Sequence, residues 1–304
     1  MLGYGGMMPM PLRLTTSVLL RREGCMLLFD AGEGIQLALK KGGLGIRGLD
    51  TVAISHLHAD HVLGLPGIMM FRAQCEEPGP LTIVGPPGVE RFVRHTLDDL
   101  KYYINYQIEF IEWTVDSGRI AWLWHGGALV WEILEHSAFC LGYRFEEPGR
   151  PGRFDPARAI ASGVPAGPLR GRLQQGEIVV AADGREVRPA DVLGPPRRGR
   201  VVAFATDTRP CEGLARLCAG ADLAFVEGMF MAAHQDAAIE KRHMTAVEAA
   251  RAARDAGAHR VVLVHVSPRY VYEEEAQLGA EAQAIFPQAE VAKSLEVYPI
   301  PLPS

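Results

Sequence analysis

Four residues able to hold a divalent cation fall within one short segment: His56, His58, Asp60 and His61, in Ser55-His56-Leu57-His58-Ala59-Asp60-His61. Imidazole nitrogen combined with carboxylate oxygen suits borderline cations, zinc first and manganese as the alternative. In an extended segment His56 and His58 project to one side, whereas Asp60 and His61 lie where the chain turns into a helix and can face a neighbouring point. One segment can therefore feed two ions. Further ligands must come from elsewhere, and the candidates also follow apolar, strand-like runs: His136 after residues 131–134, Asp207 after Val201–Ala205, and His265 after residues 260–264. Side chains from several strand ends can converge on one edge of a sheet. The natural allocation gives one ion His56, His58 and His136 and the other Asp60, His61 and His265, with Asp207 bridging. Such a pair of divalent ions suits the hydrolysis of phosphate esters. Asp30 ends another apolar run, ahead of Gly32 and Gly34, and is expected to accept a hydrogen bond from a ligating histidine and so fix its tautomer.

The elements that must position these groups are legible as a repeated unit of strand, polar or glycine-bearing turn, and helix. Strands are expected at 16–20, 26–29, 51–54 and 81–84, with helices at 35–41, 63–71 and 89–100. Residues 108–113, 120–124, 128–134 and 138–145 read as a run of antiparallel strands. From 147 to 200 the texture changes to a Pro/Gly/Arg-rich stretch with little continuous apolar pattern. Alternation returns at 201–205, 214–218, 223–226, 245–256, 260–264 and 273–286. The expectation is an α/β fold of sheet layers covered by helices, one domain over 1–304, with the 147–200 excursion inserted between its halves.

The chain of 304 residues, 48% apolar and 22% charged, can bury a large core and lacks the signature of disorder. Neither a membrane-spanning run nor a signal-peptide pattern is visible, so a cytoplasmic location without a membrane partner is expected. Cys25, Cys75, Cys140, Cys211 and Cys218 are scattered with no close pair, which argues for reduced thiols and against iron–sulfur chemistry. A net charge of −5 argues against non-specific coating of nucleic acid, and no DNA partner is expected. Within this acidic chain, Arg150, Arg153, Arg158, Arg170 and Arg172 face the single Asp155 between 149 and 173, as a phosphate-contacting arm would.

The motif His56-x-His58-x-Asp60-His61 resembles the signature of the metallo-β-lactamase superfamily. Within it, Phe-Asp-Ala-Gly-Glu-Gly-Ile-Gln at 29–36, Gly-Leu-Pro-Gly at 64–67, Leu-Glu-His-Ser at 134–137, Thr-Asp-Thr-Arg-Pro at 206–210, His-Met-Thr at 243–245 and His-Val-Ser-Pro-Arg-Tyr at 265–270 resemble ribonuclease Z, the tRNA 3′-processing endonuclease. The likeness covers nearly the whole chain in order. It implies an αβ/βα sandwich of two mixed sheets, a homodimer, and two zinc ions on the seven residues named above, Asp60 among the catalytic ones. It also implies that His243, backed by Glu227, gives the leaving oxygen its proton, and that Gly167-Pro168 belongs to a protruding arm that binds precursor tRNA. Val226, Gly228 and Tyr4 depart from the family's usual histidine, alanine and threonine. The expected activity is removal of the 3′ trailer after the discriminator nucleotide, leaving a tRNA 3′-hydroxyl. The alternatives are a phosphodiesterase or other ester hydrolase acting on a small substrate, and a non-catalytic RNA-binding protein with a structural metal site.

Overall fold

The computed structural model describes residues 1–115 and 121–303. Residues 1–145 and 201–300 form one compact unit, and 146–200 with the residues from Pro301 form a second. In the larger unit, the first sheet runs in the order β1 (Val18–Arg22), β2 (Cys25–Phe29), β3 (Leu49–Ala53), β4 (Leu81–Gly85), β5 (Ile108–Glu112). Only the β1–β2 hairpin is antiparallel; the other pairings are parallel. The second sheet contains β6 (Ala121–Trp124), β7 (Gly127–Leu134), β8 (Cys140–Glu146), β11 (Val201–Ala205), β12 (Leu223–Glu227), β13 (Val261–Val264) and β14 (Ala289–Val291). It runs β14-β13-β12-β11-β8-β7-β6.

The period-2 alternation of strand side chains builds the layers. Leu27 and Phe29 of β2 share a buried cluster with the second sheet, and Phe29 stacks on Phe204 at 5.2 Å between ring centroids. Met26 and Leu28 face the other way, into a cluster with helices α1 (Ile35–Lys41), α3 (Leu65–Arg72) and α4 (Val89–Leu100). Each fully buried large aliphatic side chain is worth about 1.5–3 kcal/mol. The core therefore lies on both faces of the first sheet. Two helices pack against the far strands of the second sheet: α10 (Ala246–Asp255) contacts β12 and β13, and α11 (Tyr272–Ile285) contacts β14. Ala246, Ala249, Ala250 and Ala253 make the buried stripe of α10, and at this 3–4 spacing their small size permits close approach.

Two expectations need correction. Residues 108–113 do not open an antiparallel run; β5 joins the first sheet parallel to β4, because α4 carries the chain across between them. The helix expected at 63–71 forms as α3 but starts two residues later, because a short separate helix, α2 (Ala59–Val62), precedes it and the two are parted at Leu63 and Gly64. Gly64 donates its N–H to Ala31 O at 2.8 Å, and a Cβ there would stand 2.0 Å from Gly32 O. Pro66 falls in the first turn of α3, where its missing N–H costs nothing. The first residue of the expected 120–124 strand lies outside the described residues.

The smaller unit carries α5 (Pro156–Ala161), α6 (Pro168–Gln174), the hairpin β9 (Val179–Val180) with β10 (Glu186–Val187), and α7 (Pro189–Val192). It has its own buried cluster of Ala159, Val164, Leu173, Val179, Ala181, Val187 and Val192. Its two ends are laced together, with Glu147 N donating to Arg200 O at 2.9 Å and the Arg200 guanidinium paired with Glu147 at 2.6 Å. Among the described residues no helix is long and apolar enough to cross a membrane.

Candidate active site

The C-terminal ends of β3, β7, β11, β12 and β13 deliver the polar residues to one edge of the larger unit: His56, His136, Asp207, Glu227 and His265 respectively. His56 Nε2 lies 2.9 Å from His58 Nδ1, and His58 Nδ1 lies 3.4 Å from His136 Nε2. Asp207 Oδ2 closes this group at 3.6 Å from His56 and 3.7 Å from His136. The other oxygen, Asp207 Oδ1, stands 3.3 Å from both His61 Nε2 and His265 Nε2. Those two nitrogens are 3.4 Å apart, and Asp60 Oδ2 is 3.4 Å from the first and 3.3 Å from the second. An ion at the centre of a tetrahedron with bonds of about 2.0–2.1 Å holds its donors roughly 3.3–3.4 Å apart. Both groups thus have the size of a coordination shell, and Asp207 turns one oxygen to each.

The donors are positioned from behind. Asp30 Oδ2 meets His61 Nδ1 at 2.7 Å and also receives Ser55 Oγ at 2.8 Å, while Asp30 Oδ1 receives Ser55 N at 2.7 Å. Arg242 O lies 3.1 Å from His136 Nδ1, which directs Nε2 into the site. Asp30, Asp207 and His265 adopt φ values of 54°, 47° and 59°, a left-handed backbone that non-glycine residues seldom take and that collects at functional sites. Gly6 completes the fit, since a Cβ there would stand within 2.8 Å of the His265 ring. His58 is exposed and Asp60 half-buried while the other five candidate ligands are buried, so the centre opens to solvent on one side.

Charge in the cluster is set by burial against pairing. Burial raises the Asp207 carboxyl, but the imidazoles of His265, His61 and His56 outweigh it and hold the group well below the usual carboxylate range. Burial would lower His61, yet Asp207 and Asp30 hold it well above an ordinary histidine. His56 is lowered by burial and by His61, and His136 by burial against Asp207, which leaves both neutral with a lone pair to give.

His243 stands beside this centre, its ring centroid 5.1 Å from that of His136 and 5.2 Å from that of His265. Its Nδ1 faces Glu227 Oε2 at 3.1 Å. Burial would lower its pKa, but the charge and hydrogen bond of Glu227 prevail and raise it to about 9. Glu227 is itself held by backbone N–H groups, Thr208 N on Oε1 and Met244 N at 3.2 Å from Oε2. Val226, where the family's histidine is expected, is buried in the core, and Glu227 is oriented without it. Thr245 caps α10 through Glu248 N at 3.2 Å, fixing the chain just after His243.

A family model described as "Beta-lactamase superfamily domain" matches residues 182–266, and one described as "Anti-Pycsar protein Apyc1" matches residues 1–122. Ribonuclease Z of Treponema denticola is 42% identical over 299 residues, covering 96% of this chain and 94% of that protein. Ribonuclease Z of Methanosarcina acetivorans is 38% identical over 302 residues, covering 99% and 97%. The chain belongs to the ribonuclease Z family. Among solved structures, the short form of human tRNase Z superposes with a TM-score of 0.69 at 24% identity, covering 99% of this chain and 98% of that one. The metallo-β-lactamase fold protein YhfI from Bacillus subtilis gives 0.65 at 20% identity, covering 96% and 94%. The fold is that of the metallo-β-lactamases, and the chain is a metal-dependent hydrolase of this family.

The structure brings His56, His58, Asp60, His61, His136, Asp207 and His265 together, with Asp30, Glu227 and His243 around them. The residues expected to form an arm lie in the smaller unit. There Gly167 precedes α6, with Pro168 as the helix's first residue, and Arg153, Arg158 and Arg172 are exposed. Arg158 pairs with Asp155 at 3.6 Å and Arg172 with Glu177 at 2.7 Å, while Arg170 donates to Val164 O at 3.2 Å and Arg150 to Pro303 O at 2.8 Å. Arg209 carries no role in the sequence reading, yet it donates to His243 O and pairs with Glu248. Its place in Thr-Asp-Thr-Arg-Pro was the available signal.

Proposed function

We propose that this chain is a zinc-dependent endoribonuclease that removes the 3′ trailer of precursor tRNA, cutting after the discriminator nucleotide and leaving a tRNA 3′-hydroxyl. One zinc would be held by His56, His58 and His136, a second by Asp60, His61 and His265, with Asp207 to both; manganese is the alternative metal. Bound zinc at such a pair supplies an activated water and positive charge against the phosphate oxygens. The departing ribose oxygen is a poor leaving group unless it receives a proton as its bond breaks. A ligating imidazole or carboxylate has no proton free to give. His243 does, because Glu227 keeps it in the imidazolium form beside the donor cluster.

The observation that carries the reading is the His243–Glu227 pair, 3.1 Å apart, next to two tetrahedral donor groups in a chain of the ribonuclease Z family. The arginine-bearing unit of 146–200, with Gly167-Pro168 at its α6, is the proposed tRNA arm, recognising shape and backbone more than sequence. A homodimer and a cytoplasmic location belong to the same proposal. End-labelled precursor tRNA, incubated beside a chromogenic phosphodiester with and without chelator, tests it. A single metal-dependent cut after the discriminator is expected. Turnover of the small ester alone would favour the small-substrate phosphodiesterase, and RNA binding without metal-dependent cleavage would favour the non-catalytic protein.

A further inference from the structure

A second constellation of reactive side chains lies at the opposite edge of the first sheet. β2 leads from Cys25 to Asp30 and β3 leads from Asp50 towards His56, so Cys25 and Asp50 occupy the strand starts, away from the donor cluster. His125, in the turn between β6 and β7, inserts its ring between them. Cys25 Sγ is 3.4 Å from His125 Nδ1, and His125 Nε2 is 2.6 Å from Asp50 Oδ2. The other carboxylate oxygen, Asp50 Oδ1, accepts from Trp124 Nε1 at 2.8 Å and Thr51 Oγ1 at 2.9 Å, which fixes the carboxylate. Arg22 holds the backbone of His125 through its carbonyl at 2.7 Å.

These three side chains are arranged as a relay. Their donor atoms all lie within 4.8 Å of one another, with Sγ approaching Nδ1 of the ring and the carboxylate approaching Nε2. With Nε2–H donated to Asp50, Nδ1 presents its lone pair to the Cys25 thiol. Nucleophile, base and base-orienting carboxylate are each within hydrogen-bond reach of the next. Partial burial, Asp50 and Glu23 push the Cys25 thiol up, so it rests as a thiol and needs a base to react. Cys25 is half-buried and His125 exposed, which leaves room for a small reagent.

We propose that Cys25, His125 and Asp50 form a thiol-modification site, at which Cys25 exchanges with small disulfides, His125 takes its proton and Asp50 orients His125. The thiol proton passes to His125 Nδ1 as Cys25 Sγ attacks one sulfur of the disulfide. The S–S bond of the reagent breaks, a mixed disulfide forms on Cys25, and the departing thiolate recovers the proton from His125. One disulfide and one thiol are consumed, and one mixed disulfide and one thiol result, so no further oxidant is needed.

The test is thiolation of the full chain by glutathione disulfide at neutral pH, with the rate at each cysteine followed by peptide mass spectrometry. Cys25 is expected to react roughly tenfold or more faster than half-buried Cys75, and His125→Gln should remove that advantage. Rates at Cys75 and Cys211 should not change in that variant. Retained melting temperature checks the variant's fold, and His125→Asn serves as its replacement should it unfold. A wild-type rate at Cys25 no greater than at Cys75 overturns the proposal, as does an unchanged Cys25 rate in the folded variant.

Discussion

Replacing His243 by alanine removes the one imidazole beside the donor cluster that Glu227 keeps charged. With its pKa raised to about 9 by Glu227, His243 holds its proton at neutral pH, and the alanine variant has no donor in its place. Loss of a positioned general acid costs about 10²- to 10⁴-fold. That loss should fall on precursor tRNA, whose ribose oxygen needs the proton, and largely vanish with a nitrophenyl phosphodiester, whose leaving group is already a weak base. The pH dependence has a definite sign. The protonated form is the active one, so tRNA cleavage by the wild type should decline as pH rises through about 9, or somewhat lower because nearby dications oppose protonation. Glu227→Gln leaves burial unopposed by that charge and should move the declining limb towards or below the ordinary histidine value of about 6.5. Rates are measured on both substrates across pH, with zinc content determined for each variant. An equally severe loss on both substrates at unchanged zinc would refute the proton-donor assignment.

Asp30→Asn should weaken metal retention about 10- to 100-fold, because it replaces the carboxylate behind His61 with a neutral amide; chelator competition reads this directly, and unchanged retention would remove Asp30 from the site. Gly64→Ala should destabilise the fold by about 3 kcal/mol or more, since the new Cβ meets Gly32 O at 2.0 Å; a denaturant midpoint equal to wild type would contradict the interlocked loops. Because Glu147 and Arg200 are directly paired, residues 149–198 can be replaced by a short glycine linker. That deletion should raise KM for precursor tRNA far more than it alters small-ester turnover, and the wild-type advantage should shrink with added salt; equal loss on both substrates would argue against a binding arm.

Much of this arrangement is legible in the sequence. The helices at Ile35–Lys41 and Val89–Leu100 were bounded correctly, because their apolar spacing and flanking glycines act locally. The donor residues were traceable because each follows an apolar run, and strand ends gather polar groups at one edge. What could not be read depends on distant contacts. The direction of β5 is set by a crossover and not by its own residues. The break at Gly64 exists because the backbone of Gly32 passes there. The left-handed backbone of Asp30, Asp207 and His265 leaves no local mark, since these are not glycines. The capture of Glu227 by Thr208 and Met244 N–H groups is likewise invisible, because backbone donors carry no side-chain identity. Glu177 makes the charge of the proposed arm more balanced than a count of 149–173 suggests, because it lies just beyond that window and pairs with Arg172.

The central claim is that seven residues hold two zinc ions through a shared Asp207. Elemental analysis of the zinc-loaded chain and of Asp207→Ala, after removal of loosely bound metal, tests this most directly. The wild type should approach two equivalents per chain, and the variant should fall clearly below it with cleavage of precursor tRNA abolished. Wild-type protein that is folded and zinc-supplied yet retains close to none, or a variant that keeps two equivalents, would contradict the account.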